Sequence, residues 1–161
     1  VTGVQTCALP IWYALDTYPW SEAYATGNWV IDTQHRRLLE LASLLADAIG
    51  EGRSDEIAEQ AMGALEGYVR FHFAEEEAFL ASIRAPSLAK HRRVHASLTL
   101  DVEAMRFNLV ARYPGVGEQL ARWVMNCLVP HMVNEDMAAV EATGSKGSRP
   151  RPAAGGDYAV P

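Results

Sequence analysis

Residues 57–83 read IAEQAMGALEGYVRFHFAEEEAFLASI, and this stretch decides the fold. Its less polar positions recur every three or four residues, the spacing that places side chains along one face of an α-helix. The resulting stripe consists of Ile57, Ala61, Leu65, Tyr68, His72, Glu76, Phe79 and Ile83. Ser54 is a suitable N-cap before the stretch, and Pro86 should end the helix after it. The stretch is therefore predicted to be a long helix that buries one face.

Three further segments, at residues 31–49, 88–109 and 116–138, repeat the same helical spacing. Gly50 follows the first segment, and the turn sequence Pro114-Gly115 separates the last two. No stretch shows the alternation of apolar and polar residues that is typical of strands. Four helices joined by short loops predict an all-α protein, an up-down-up-down antiparallel four-helix bundle.

Length and composition exclude several classes of protein. The chain has 161 residues, of which 49% are hydrophobic and 21% charged, and these values suit one folded domain. Its net charge of −6 argues against a nucleic-acid partner. No apolar run approaches the roughly 18 residues of a membrane span, so no membrane partner is expected. Two cysteines in the whole chain favour a reducing, cytoplasmic location.

The two ends of the chain differ from its middle. Residues 1–11, VTGVQTCALPI, look like the translation of a sequencing-library adapter, and we exclude them from the fold. Residues 12–19 are predicted to form an N-terminal arm and residues 20–142 the domain. Residues 143–161, rich in Gly, Pro and Ser, are predicted to be a disordered tail.

All five histidines fall on the apolar stripes: His35, His72, His91, His95 and His131. A single histidine on such a stripe is usually a core residue with a hydrogen-bond partner. Five in one small bundle would leave many ring nitrogens to satisfy, at about 1–3 kcal/mol for each that stays unpaired. A metal ion in the core would satisfy them together.

Two ligand pairs have helical spacing. His72 and Glu76 are four residues apart, as are His91 and His95, so each pair can converge on one point from one face. In the acidic run 75–77 only Glu76 shares the stripe. Glu75 and Glu77 are predicted to be solvated surface charges.

The fourth segment offers two carboxylates. Glu135 lies four residues after His131, the favoured spacing, whereas Asp136 lies five residues after it and roughly 140° around an ideal helix. Pro130 removes a backbone donor just before His131, and a kink or π-bulge there could turn Asp136 inward. Geometry alone favours Glu135 but leaves both open.

Four motifs, in this order along the chain, resemble those of a known family: TGNWVIDTQH at 26–35, HFAEE at 72–76, HRRVH at 91–95 and HMVNED at 131–136. With these motifs the chain resembles the hemerythrins, most closely the single-domain bacterial members. The resemblance implies one iron held by His91, His95 and His131. It implies a second iron held by His35 and His72, with Glu76 and Asp136 bridging the pair. The resemblance thus prefers Asp136 over Glu135.

The resemblance also implies a function. The cofactor would be two non-haem iron ions joined by an oxo or hydroxo bridge. The molecule that binds there would be dioxygen. Imidazole and carboxylate donors suit iron. The sequence has no set of cysteines that would indicate structural zinc or an iron–sulfur cluster. We expect reversible dioxygen binding for storage, delivery or scavenging, with an oxygen-consuming enzyme as recipient and no catalytic residues.

Two alternatives stay open: an oxygen or redox sensor module, and a di-iron enzyme that consumes peroxide or nitric oxide. An apolar pocket around the bound oxygen is also expected, because it would exclude water. Its candidate residues, each of which ordinary core packing would also explain, are Leu39, Phe73, Phe79, Leu98, Leu128 and Met132.

Overall fold

The computed structural model describes residues 18–144, and these residues form helices and no strand. A short 3-10 turn at Glu22–Tyr24 precedes α1 (Trp29–Gly50), α2 (Ser54–Ser82) and α3 (Leu88–Val110). The predicted all-α, up-down-up-down four-helix bundle is confirmed. The predictions for residues 1–11, for most of 12–19 and for the tail beyond Gly144 concern residues outside the described range.

The fourth helical segment of the bundle, residues 116–141, changes its winding along its length. We call it the fourth rod, and the other three rods are α1, α2 and α3. It begins as α4 (Val116–Trp123), continues through two π-helical stretches, Val124–Leu128 and His131–Asp136, and ends as α5 (Met137–Glu141). Pro130 lies between the two π-helical stretches. Because proline has no backbone N–H, the α-helical hydrogen-bond ladder cannot continue through it. The predicted change of winding near His131 is therefore present.

The core lies between the four rods. Helix α2 packs against α1, α3 and α4, and α4 also contacts α1 and α3. The main apolar cluster draws leucines, valines, methionines and Phe73 from all four rods. A smaller cluster of Leu80, Ala85, Ala139 and Val140 closes one end. No helix within residues 18–144 is long and apolar enough to cross a membrane.

The start of α2 lies directly against the start of α4. The prediction that Ser54 caps α2 is wrong: Ser54 is the first helical residue, and the cap position, Arg53, makes no side-chain capping bond. Asp55 instead caps the neighbouring helix, since its carboxylate accepts the backbone N–H groups of Gly115 (3.3 Å) and Gly117 (2.8 Å). Within α4 these N–H groups, at the helix N-terminus, would have no partner, and a negative charge is favourable there.

Gly117→Ala is expected to destabilise the bundle. A Cβ atom at Gly117 would lie 2.1 Å from the carbonyl oxygen of Ser54, so the two helices would have to separate. Overpacking of this kind costs about 1–3 kcal/mol. The matched control is Gly63→Ala, because no described atom lies within 4 Å of a Cβ there and alanine favours a helix. Urea unfolding measures both, and equal stability of the two variants would contradict this packing.

Candidate metal centre

Seven buried polar side chains converge in the middle of the bundle. They come from all four rods, and none is more than 6% exposed: His35, His72, Glu76, His91, His95, His131 and Asp136. They form two overlapping groups, in each of which the possible ligand atoms lie within 4.8 Å of one another. One group contains Glu76, Asp136 and the histidines of α3 and the fourth rod. The other contains Glu76, Asp136, His35 and His72.

The two carboxylates join the groups. The Oε2 atom of Glu76 lies 3.2 Å from His91 Nε2, 3.3 Å from His95 Nε2 and 3.8 Å from His72 Nε2. Glu76 therefore approaches imidazoles of both groups. Asp136 does the same through its two oxygens.

The Oδ1 atom of Asp136 lies 3.0 Å from His131 Nε2 and 3.2 Å from His91 Nε2, and its Oδ2 atom lies 3.4 Å from His35 Nε2. Two carboxylates are thus shared between two groups of imidazoles, and each group could hold a metal ion. In the group that contains the histidines of α3 and the fourth rod, His95 Nε2 and His131 Nε2 face each other at 3.1 Å, so both nitrogens converge on one point.

The π-helical winding decides which acidic residue of the fourth rod enters the centre. Because a π-helix bonds residue i to residue i+5, Asp136 lies on the same side of the rod as His131. Asp136 is completely buried. Glu135 points outward and pairs with Lys90 at 3.2 Å. The ideal-helix preference for Glu135 is wrong, because the rod is not an ideal helix at this point.

Two polar residues orient the histidines from outside the cluster. His72 Nδ1 lies 2.8 Å from Gln34 Oε1, and an N–H donated to that carbonyl oxygen leaves His72 Nε2 facing the centre. His95 Nδ1 lies 3.0 Å from Glu77 Oε1, while Glu77 Oε2 accepts from Arg92 at 3.1 Å. The prediction that Glu77 is a solvated surface charge is wrong. No sequence signal could have found this contact, because it joins two helices.

A cleft of about 420 Å³ between α2 and α3 leads from the surface to this side of the centre. Phe73 and His95 line it, and so do Glu77 and Arg92. The ring of Phe73 stacks on that of His95, with centroids 3.8 Å apart and planes 6° apart. Phe73 thus covers one face of the His95 ring at this cleft.

The electrostatics of the protein groups keep both carboxylates ionised. Burial alone would raise the pKa of Asp136, but the imidazoles of His131, His35 and His91 outweigh it and hold that pKa well below the usual range. The pKa of Glu76 is also lowered, because hydrogen bonds from His91 and His95 outweigh burial and the charge of Asp136. Two anionic groups at the centre suit the binding of cations.

The pKa values of two histidines shift in opposite directions. Burial lowers the pKa of His72 to about 3, so this imidazole is neutral. Burial also acts to lower the pKa of His91, but its contacts with Asp136 and Glu76 outweigh burial and raise that pKa to about 10. Without a metal, His91 therefore carries a proton at neutral pH. A metal ion bound at His91 would displace that proton.

Several atoms of the cluster need a partner that residues 18–144 do not provide. Both ring nitrogens of His35, Nδ1 of His131, Oε1 of Glu76 and both oxygens of Asp136 are buried and form no well-oriented hydrogen bond in that range, although Asp136 stands at ion-pair distance from three of the imidazoles. Buried polar groups of a native protein are normally satisfied. Imidazole and carboxylate are donors that suit iron. The residues present therefore fit a metal centre of this kind.

Five of the six predicted pocket residues belong to the main apolar cluster of the bundle core: Leu39, Phe73, Leu98, Leu128 and Met132. Phe79 does not join them. It packs, half-buried, against the smaller cluster around Leu80 and Val140. Phe79 shares the helical stripe of Glu76 but lies almost one turn nearer the end of α2, where the bundle closes.

A family model described as "Hemerythrin HHE cation binding domain" matches residues 26–142. The chain belongs to the hemerythrin family. The matched residues include all seven side chains of the central cluster, so the two ligand groups lie within the hemerythrin domain.

Curated relatives of this hemerythrin carry the name bacteriohemerythrin. One from Pseudomonas paraeruginosa is 30% identical over 127 residues, which cover 76% of this chain and 79% of the relative. One from Clostridium acetobutylicum is 34% identical over 96 residues, covering 57% and 72%. One from Campylobacter jejuni is 25% identical over 115 residues, covering 71% and 86%. The resemblance drawn from the four motifs is confirmed.

Proposed function

We propose that this protein binds dioxygen reversibly at a non-haem di-iron centre in the core of the bundle. The observation that carries the proposal is the sharing of Glu76 and Asp136 between two groups of imidazoles. A single-ion site would need one such group. Two groups joined by two carboxylates suit a pair of ions held close together. Membership of the hemerythrin family supports iron as the metal.

We assign the ligand roles according to the two groups. His91, His95 and His131 would hold one iron, and His35 and His72 the other. Glu76 and Asp136 would bridge them. The second group offers one imidazole fewer than the first. An iron held by His35 and His72 would therefore leave more room for an external ligand, and this is the side on which we propose that dioxygen would bind.

The bound iron pair would supply the electrons and the open ligand position that dioxygen binding needs. The protein's own residues orient the ligands and exclude water. Gln34 and Glu77 fix the rings of His72 and His95 through their outer nitrogens. The ring of Phe73 lies against the imidazoles of His72, His95 and His131, and the aliphatic side chains of the main cluster are buried in the same core. A dry, apolar surrounding favours release of the same molecule that was bound.

The physiological role that we propose is storage, delivery or scavenging of oxygen. An oxygen-consuming enzyme is the partner that would receive the gas. We place this role in the bacterial cytoplasm, since the relatives are bacterial and the chain has only two cysteines.

The deciding experiment follows visible absorption and iron content. The iron-loaded protein is reduced without oxygen, and oxygen is then admitted and removed. We expect two irons per chain and a charge-transfer band that appears with oxygen and disappears on its removal. Immediate and irreversible oxidation would contradict reversible binding, and redox sensing or turnover would then explain the centre better.

Leu98→Ala is expected to speed the autoxidation of the oxygenated protein several-fold. Leu98 is buried in the main cluster on the same helix as His91 and His95, and its truncation would leave a cavity that water can enter. The decay of the charge-transfer band in air measures the rate. Leu100→Ala is the matched control, because Leu100 lies on the same helix and is 64% exposed. Equal decay of the two variants would argue against a water barrier at Leu98.

A further inference from the structure

Tyr68 contacts the metal centre although it is not one of the predicted ligands. It lies on α2 one turn before His72, on the same helical stripe. Its ring stacks on the imidazole of His72, with centroids 5.0 Å apart and planes 24° apart. The imidazole of His72 also meets that of His35 edge-on at 4.9 Å. Tyr68 therefore borders the ligand group that contains fewer imidazoles.

The hydroxyl group of Tyr68 is buried without a partner. Its Oη atom is shielded from solvent, and no group within residues 18–144 forms a hydrogen bond with it. A buried hydroxyl that forms no hydrogen bond costs free energy relative to a phenylalanine at the same place. Ordinary packing against His72 would need only the ring. The hydroxyl thus requires an acceptor that the described protein groups do not supply.

The hydroxyl group of Tyr68 is available as a donor. A phenol, with an ordinary pKa of about 10, carries its proton at neutral pH. Because the ring stacks on His72, this donor lies beside the group that contains His35 and His72. A small ligand bound beside His35 and His72 would be an acceptor within the same cluster.

We propose that Tyr68 donates a hydrogen bond to the small ligand bound at the metal position formed by His35, His72, Glu76 and Asp136. Tyr68 is then a specificity-determining residue, which favours ligands that present a hydrogen-bond acceptor, such as dioxygen or a small anion. This inference rests on the proposed di-iron function. It adds a donor from the protein to a site otherwise made of metal ligands and apolar side chains.

The test uses azide as the probe and the iron-loaded, oxidised full chain as the protein. Azide is titrated against the wild type and Tyr68→Phe, and the change in visible absorption gives the dissociation constant. We expect the dissociation constant to rise about tenfold in Tyr68→Phe, the loss typical of a hydrogen bond to a charged group. Iron content should remain at two per chain, because Tyr68 is not a ligand in this proposal.

The control variant is Tyr113→Phe, which removes a hydroxyl from a tyrosine that is 59% exposed in the loop after α3. It should bind azide as the wild type does. An unchanged dissociation constant in Tyr68→Phe with two irons per chain would overturn the role of Tyr68 and leave the di-iron proposal standing. A wild type that fails to bind two irons would overturn both.

Two further measurements separate hydrogen bonding from packing. Azide binding should perturb the near-ultraviolet tyrosine absorption of the wild type, and this difference signal should be lost in Tyr68→Phe but not in Tyr113→Phe. The metal-free Tyr68→Phe protein should unfold at the same temperature as the metal-free wild type or above it, since it lacks the unpaired hydroxyl. A tyrosine difference signal that persists in Tyr68→Phe would contradict the proposal.

Discussion

Asp136→Ala is expected to abolish binding of the two-iron centre, whereas Glu135→Ala should retain two irons per chain. The two residues are neighbours with the same charge, but only Asp136 lies in both ligand groups. Its loss would leave Glu76 as the one carboxylate that the two groups share, and would leave His35 and His131 facing a buried gap. Glu135 loses only a surface ion pair with Lys90, which is worth little.

Iron analysis after reconstitution and gel filtration measures this prediction, together with the charge-transfer absorption of the loaded protein. Circular dichroism of both variants checks that the helices are intact. A second matched pair, Glu76→Ala and Glu75→Ala, should give the same contrast, because Glu76 is buried in the centre and Glu75 is exposed at the preceding position of α2. Two irons retained in Asp136→Ala, or lost in Glu135→Ala, would disprove the ligand assignment.

Removal of the metal is expected to lower the melting temperature by about 10 °C or more. A ligand that binds only the folded state at a thousand times its dissociation constant stabilises that state by about 4 kcal/mol. For a domain of this size each kcal/mol corresponds to a few degrees. The physical reason is local: the apo centre places two anionic carboxylates and several unpaired imidazole nitrogens in the core.

Differential scanning calorimetry of the iron-loaded and chelator-treated wild type measures this difference. The control is Asp136→Ala, whose melting temperature should not respond to the chelator, because it is expected to hold no two-iron centre. Restoring iron should restore the wild-type transition. Equal melting temperatures of loaded and stripped wild type would show that the metal contributes nothing to folding stability.

The bundle itself could be predicted because helix formation and burial follow local spacing. The spacing of three and four residues in 57–83 is enough to predict α2, and the structure places it at Ser54–Ser82. The same rule placed all five histidines on inward faces, where the structure has them. Their nearness in space follows directly, since four antiparallel helices direct their inward stripes to one axis.

The details that the sequence did not predict depend on contacts between helices. Ser54 has the residue type of an N-cap, but the approach of α4 to the start of α2 sets the local arrangement and assigns the capping role to Asp55. Glu77 has the appearance of a surface charge, and only the position of α3 shows that it holds His95. Such contacts join residues far apart in the chain, so the local spacing of residue types cannot predict them.

By itself, the sequence determined an all-α bundle, the inward placement of five histidines and the membership of Glu76 in their stripe, because these follow from the period of a helix. The tertiary structure decided which acidic residue completes the centre. It placed Asp136 inside and Glu135 outside, because Pro130 interrupts the α-helical ladder and the rod winds as a π-helix from His131 to Asp136. It also placed Tyr68 against His72 with a buried hydroxyl, since only packed helices can enclose that group.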